Sequence, residues 1–373
     1  MAMNLHANDG AKLQVAIVYG GQSTEHEISI LSARYVLQAL DRARFQPLLI
    51  GIDKHGRWLK QSEPGLLCTV ADPQRVALEQ GVVVDPLRLG QSSLPATAAT
   101  NRGVDVVFPV LHGARGEDGS LQGLLELAGV PYVGAGVLGS AIGMDKDVMK
   151  RLLIEAGIPV AKFMAFRKFE FEQHPLTVCR RAACLGFPLF VKPANAGSSV
   201  GVSKVPHSRQ LRRALAHALQ FDDKVVVEET IVGREIECAV LGGDVPRAST
   251  VGEIVVTSAD GFYSYQAKYL EAAGARLQIP ASLDRATATR VRRLAIRAFQ
   301  ALECYGLARV DFFLTARGAL LVNEINTLPG FTAISMYPKL WEHSGLTGRE
   351  VVTRLVELAL LRAQRRSAMR LSP

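Results

Sequence analysis

The sequence offers little support for a disulfide framework, a zinc site or a membrane anchor. Its five cysteines, Cys68, Cys179, Cys184, Cys238 and Cys304, are scattered without a C-x-x-C pair, so neither a bridged scaffold nor a zinc cluster is indicated and buried or inert thiols are expected. No apolar run approaches the roughly 18 residues needed to span a bilayer. The first residues, with Asn4, His6, Asn8 and Asp9, lack the apolar segment of a signal peptide; a cytoplasmic protein with no membrane partner is expected. A net charge of +8 would suit nucleic acid. There is, however, no zinc finger, no RNP-like aromatic string and no basic tract interleaved with aromatics. Arginines such as Arg290, Arg292, Arg293 and Arg297 fall instead on a helical face, so no nucleic-acid partner is expected. Internal repeats are absent.

What remains is ordinary globular material, 48% hydrophobic and 21% charged over 373 residues, enough for two or three domains. Residues 13–19 form a short apolar strand ending in Gly20-Gly21, followed by a helical pattern over residues 28–40, as at the start of an α/β domain. The turn between them carries no G-x-G-x-x-G, and its acids would repel a pyrophosphate. Thr24 and Glu27 have the spacing of a capping box. Glu25 is left as either a first-turn acid or a carboxylate aimed at an ammonium. Residues 53–102 read as an elaboration with weak strands at Trp58-Leu59 and at residues 82–84. A buried strand over residues 104–111 runs into a Gly-rich turn at residues 112–119, and α/β proteins place ligands in such turns; His112 by itself reads as structural. Gly134, Gly136 and Gly139 suggest a flexible crossing before a helix over residues 144–156, with a domain boundary near Gly143.

The strand over residues 187–192 leads into a Gly/Ser loop, residues 193–201, that reads either as a hairpin turn or as a phosphate cradle of backbone N–H groups with Lys192 as a point charge. The lysine precedes the glycines and G-K-[ST] is missing, so this is not a Walker A loop. A strand over residues 225–229 ends in two acids, either an exposed turn or the edge of a purine site. Residues 258–278 show no sustained period but carry Tyr263, Tyr265, Lys268 and Tyr269, a lid pattern. Residues 307–314 are apolar except at Arg309 and Asp311, and residues 320–326 carry Glu324 and Asn326. In strand periodicity each pair shares a face, so the two strands make a hairpin. Its polar residues read as hard oxygen ligands for Mg²⁺ or as a cross-strand ion pair.

These segments, taken in order, resemble the D-alanine–D-alanine ligases of the ATP-grasp superfamily. The resemblance rests on residues 20–29, residues 112–119, Met144-Asp145-Lys146, residues 192–201, Lys268-Tyr269, Arg309-Val310-Asp311 and residues 324–330, which span nearly the whole chain. It implies an α/β and α+β architecture, an ATP-grasp fold with an N-terminal Rossmann-like (pre-ATP-grasp) domain over residues 1–143. Central and C-terminal grasp subdomains would follow over residues 144–232 and 233–373. It further implies ATP-dependent ligation of two D-alanine molecules, as a homodimer, through an acyl phosphate. By that likeness Lys146, Lys192, Ser199 and Lys268 serve the phosphates, Glu228, Glu229 and Ile231 the adenine, and Glu235 the ribose. Asp311, Glu324 and Asn326 would hold two Mg²⁺ (or Mn²⁺) ions, with Glu324 bridging. Glu25 would bind the first D-alanine and join a hydrogen-bond triad with Ser198 and Tyr269. His112 would support the site, Arg309 and Gly330 would donate to the oxyanion, and Ser335 would receive the second D-alanine. Ser264 departs from the pattern, standing where many relatives carry an acid.

Overall fold

The computed structural model describes residues 12–67, 78, 80–91, 103–256 and 275–370. They form two compact units, one of residues 1–116, 120–134 and 330–373, the other of residues 117–119 and 135–329. Residues 330–373, with the last two helices, thus belong to the first unit.

The first unit is a four-stranded sheet of β1 (Leu13–Gly20), β2 (Phe45–Ile52), β3 (Trp58–Gln61) and β4 (Val106–Pro109) in the order β3-β2-β1-β4. Strand β1 runs parallel to both β2 and β4, and β3 closes one edge antiparallel. Both faces of β1 are covered, which is why its sequence is a continuous apolar run without alternation. One face packs Ala16, Val18, Ile50 and Val107 against Leu121 and Leu125 of the helix Ser120–Leu127. Helices His26–Ala39 and Gly348–Ser367 contact β1 and β4 respectively. Phe331 is buried against Phe108 and Tyr35, with ring centroids 6.0 Å apart in each pair. Arg362 bonds the carbonyls of Tyr132 and Gly134 at 2.7 Å each. Because β1 lies between parallel partners reached in opposite directions, its C-terminal end is the crevice where open α/β sheets bind ligands.

In the second unit the expected glycine crossing is replaced by a helix, Val137–Met144, followed at once by Lys146–Glu155. The run from Gly134 to Gly139 does have G-x-G-x-x-G spacing, yet Gly139 serves packing: a Cβ there would sit 2.4 Å from the Glu303 carbonyl. Asp145 separates the two helices and caps the second, accepting from the N–H groups of Asp147 and Val148. One antiparallel sheet comprises β5 (Phe163–Arg167), β6 (Leu189–Pro193), β7 (Ser203–Val205) and β8 (Lys224–Glu229), in the order β5-β8-β6-β7. Its apolar face, with Val191, Val225 and Val227, packs on the helices Pro175–Ala183 and Ser208–Ala218 through Val178, Ala182, Leu211 and Leu215. The other sheet has β9 (Gly233–Gly242), β10 (Arg247–Val256), β11 (Ala275–Gln278), β12 (Gly306–Thr315) and β13 (Leu320–Asn326), in the order β11-β10-β9-β12-β13. Its apolar face, with Ile236, Cys238, Val310 and Ile325, packs on Val291, Ala295, Ala298 and Phe299 of the helix Arg285–Ala301. No helix among the described residues is long and apolar enough to cross a membrane.

Candidate functional site

Strand register places the polar residues of the second unit on one face. Asp311 pairs with Glu237 on one side and Glu324 on the other, Arg309 pairs with Asn326, and Phe313 pairs with Glu235. Residues that pair directly, and residues two apart, share a face, so Glu235, Glu237, Arg309, Asp311, Glu324 and Asn326 emerge together, opposite the apolar face. A register shift between Asp311 and Phe312 inserts Asn323 as a β-bulge immediately before Glu324. Bulges of this kind re-aim side chains beside sites.

Both readings of the hairpin are present at once. Arg309 forks onto Asp311 through Nε and Nη2 at 2.7 Å each, and its Nε lies 2.9 Å from Glu237 Oε2. Burial alone would loosen the guanidinium proton, but Asp311 and Glu237 more than offset it and hold the group well above its ordinary range. Asn326 Nδ2 donates to Asp311 Oδ2 at 3.0 Å. Among the described residues no three His, Cys, Asp or Glu side chains gather into a metal cluster. Two carboxylates and an amide on one face fit Mg²⁺ only as a partial set, completed by phosphate oxygens and water, which is how that ion is commonly bound beside nucleotides.

The cations come from the adjoining sheet and helix. Lys192 on β6 and Glu228 on β8 share a face, since Phe190 pairs with Glu228 and Lys192 with Val226. Their side chains meet at 3.0 Å. The other Glu228 oxygen lies 3.3 Å from the ammonium of Lys150, which also donates to the Asn323 carbonyl at 3.4 Å. Burial would raise the Glu228 pKa, but the two lysines pull it down to about 2. Burial would lower that of Lys192, yet Glu228 carries it above the ordinary lysine range. Glu228 is thus a buried ion between two lysines. Glu229 accepts from the Lys162 N–H at 2.8 Å, and Ile231 is half-buried just past the strand.

Lys146 opens its helix with Nζ donating to the Ala196 carbonyl at 2.7 Å and 4.0 Å from Glu324 Oε2. Its own N–H bonds the Ala194 carbonyl, so helix and loop are pinned together. In that loop Ser198 and Ser199 both hold positive φ, 47° and 60°, a left-handed conformation unusual for non-glycine residues. Successive backbone N–H groups in such turns can form an anion-binding concavity. Lys224, buried, ties the base of the loop to the helix through Asp145 at 2.6 Å and Asp147 at 3.1 Å.

In the first unit Glu25 and His112 are both buried, following β1 and β4. Two serines of the intervening helix organise them. Ser29 accepts from the Gly20 N–H and donates to the Val110 carbonyl. The Ser32 hydroxyl lies 3.2 Å from His112 Nε2 and accepts from the Phe331 N–H at 3.3 Å. Gly113 (φ 79°) leaves room for the acid, as a Cβ there would stand 3.1 Å from Glu25 Oε2. The expected Thr24–Glu27 capping box does not form: the helix opens at His26 with Glu25 as N-cap, and Glu27 instead pairs with Lys54 at 2.6 Å. Ser335 Oγ accepts from the Thr332 N–H at 3.0 Å, and a Cβ on Gly330 would be 3.1 Å from that oxygen. Lys268, Tyr269 and the expected lid, apart from its last residues in β11, lie outside the described residues.

The family models described as D-ala D-ala ligase N-terminus and C-terminus match residues 14–135 and 152–357. D-alanine–D-alanine ligase A of Chromobacterium violaceum is 52% identical over 353 residues, 94% of this chain and 95% of the relative. The like-named protein of Salmonella typhimurium is 49% identical over 96% of this chain and 99% of its own. Among solved structures, the D-alanine-D-alanine ligase from Coxiella burnetii superposes with a TM-score of 0.81 at 38% identity, covering 95% of this chain and 96% of that one. The VanG D-Ala:D-Ser ligase from Enterococcus faecalis gives 0.80 at 37% identity, covering 94% and 100%. On these matches, this chain belongs to the D-alanine–D-alanine ligase family.

Proposed function

We propose that this protein, an ATP-dependent ligase by family, joins two D-alanine molecules into D-alanyl-D-alanine for peptidoglycan precursor synthesis, releasing ADP and phosphate. The first D-alanine carboxylate attacks the γ-phosphate of ATP, which is anion against anion, so catalysis must supply alignment and positive charge. The observation that carries the reading is the single polar face of the second unit, where Arg309, Asp311, Glu324 and Asn326 meet in register beside Lys146 and Lys192. Asp311, Glu324 and Asn326 would hold two Mg²⁺ (or Mn²⁺) ions, Glu324 shared, and ions bound there would neutralise phosphate charge. Lys146, Lys192 and Lys268 would contact the phosphates while the Ser198-Ser199 loop covers them through its backbone N–H groups. Glu228, Glu229 and Ile231 would edge the adenine, and Glu235 would take the ribose hydroxyls.

Glu25 would bind the ammonium of the first D-alanine and share a triad with Ser198 and Tyr269. The second amine then adds to the acyl phosphate carbonyl and phosphate leaves; the tetrahedral oxyanion would be met by Arg309 and the Gly330 N–H. Ser335 would receive the second carboxylate. ATP as substrate supports a cytoplasmic location, and the family resemblance supports a homodimer, which sedimentation equilibrium tests.

The assay is phosphate release from ATP and Mg²⁺ with D-alanine, L-alanine, D-serine or D-lactate as acceptor, with the product identified by mass. Release with D-alanine giving the dipeptide is expected; no D-alanine-dependent release would overturn the proposal. A D-Ala-D-Ser product would move this chain toward the activity for which the Enterococcus faecalis neighbour is named.

A further inference from the structure

Lys150 is a lysine that the proposed reaction leaves unused, and its side chain is 0% exposed. Lysine is almost never fully buried unless it is paired, and a buried ion pair seldom stabilises a fold more than apolar side chains of the same volume would. From its helix its ammonium reaches two other elements at once, Glu228 on β8 at 3.3 Å and the Asn323 carbonyl on β13 at 3.4 Å. The remaining Glu228 oxygen holds Lys192 at 3.0 Å.

The charge count of this triad is informative. Two ammonium groups face one carboxylate, so the buried cluster carries one net positive charge. Without Lys150, Glu228 and Lys192 would form a one-to-one pair with no net charge. We infer that Lys150 is a positioning residue for nucleotide binding: by neutralising Glu228 it leaves the Lys192 ammonium uncompensated for an incoming phosphate. Glu324 and Glu235 also attract Lys192, but their charge is the same whether or not Lys150 is present. Glu228, drawn down to about 2 by its lysines, stays ionised throughout the neutral range; burial lowers the Lys150 pKa, and the Glu228 carboxylate 3.3 Å away opposes that shift by favouring the charged ammonium. The inference rests on reading Lys192 as a phosphate lysine.

The test is calorimetric titration of the full chain with ADP and with adenosine, using wild type, Lys150→Met, Lys150→Met/Glu228→Gln and Lys192→Met. A unit charge roughly 10 Å from a phosphate, at an effective dielectric of about 20, changes affinity on the order of tenfold. Lys150→Met is therefore expected to bind ADP about tenfold more weakly while adenosine, which has no phosphate, changes by less than about twofold. The double variant restores a net charge of one and is expected to recover most of the loss when ADP affinity is taken relative to adenosine, which cancels any contact of Glu228 with the adenine. Lys150→Arg, which keeps the charge, is expected to stay within about threefold of wild type. Equal losses for ADP and adenosine, unchanged ADP binding in Lys150→Met, or no recovery in the double variant would each overturn the inference. If Lys150→Met does not fold, Glu228→Gln against the double variant isolates the same charge step and must show the same tenfold difference for ADP. Unchanged ADP affinity in Lys192→Met would instead defeat the phosphate reading of Lys192, an outcome separate from the others.

Discussion

Replacing Arg309 by alanine should damage stability and catalysis separately, and the two losses can be told apart. The guanidinium sits between Asp311 and Glu237, which pair directly across β12 and β9. Its removal leaves two buried carboxylates on neighbouring strands, about 5 Å apart by strand geometry. At an effective dielectric of about 20 their repulsion is about 3 kcal/mol, within the range of about 3–5 kcal/mol for breaking a buried pair. For a unit of this size that corresponds to a fall in Tm of roughly 6–12 °C. One of the acids should respond by holding its proton to higher pH. A carboxylate whose folded pKa is raised costs stability above that pKa and nothing below the unfolded one, so the deficit of Arg309→Ala should shrink as pH falls from 8 to 5.5. Thermal unfolding at both pH values, with ADP release measured in parallel, provides the test. Adding Glu237→Gln should return most of the lost Tm while turnover stays about 10²–10³ below wild type, the usual effect of losing one oxyanion donor. Wild-type Tm in Arg309→Ala would refute the electrostatic argument; recovered turnover in the double variant would remove Arg309 from the chemistry.

Further outcomes follow from the same geometry. Glu228, with an ordinary pKa of 4.5 held at about 2, contributes stability fully present above about pH 4.5 and lost as pH falls toward 2, worth about 3 kcal/mol; acid unfolding of Glu228→Gln should lack that step, and an unchanged acid limb would show that the ion contributes nothing. Gly113→Ala, which combines a positive φ with a Cβ 3.1 Å from Glu25, should raise the KM for D-alanine about tenfold and leave ADP affinity within twofold. Equal effects on both ligands would mean a general distortion. Glu324→Ala should weaken Mn²⁺ binding in the presence of ADP by at least about tenfold, read by electron paramagnetic resonance independently of turnover, and wild-type Mn²⁺ affinity would exclude it as a ligand.

Strand periodicity alone makes the hairpin legible in the sequence. Only Arg309 and Asp311 interrupt an apolar run, and the observed register confirms the expected common face. Partners one strand away were not legible: Glu237 faces Asp311 across β9, and no local pattern couples residues so far apart in sequence. Lys150 reads as ordinary helix surface, although its i, i+4 spacing from Lys146 does place both on one face. Ser32 carried a similar faint signal, one turn beyond Ser29 on the same helix. Strand β2 is not legible because Gln46 and Pro47 disguise an otherwise apolar run. The Thr24–Glu27 spacing misled, since Lys54, a residue distant in sequence, competes for the same carboxylate.

The return of residues 330–373 to the first unit orders events during synthesis. Strands β1, β2 and β4 leave the ribosome early, yet Phe108 and Tyr35 wait for Phe331 before their apolar surfaces are sealed. Nascent chains consequently carry an unfinished N-terminal layer while the whole second unit is being translated, a window in which chaperones have their natural target and premature termination leaves a sticky fragment.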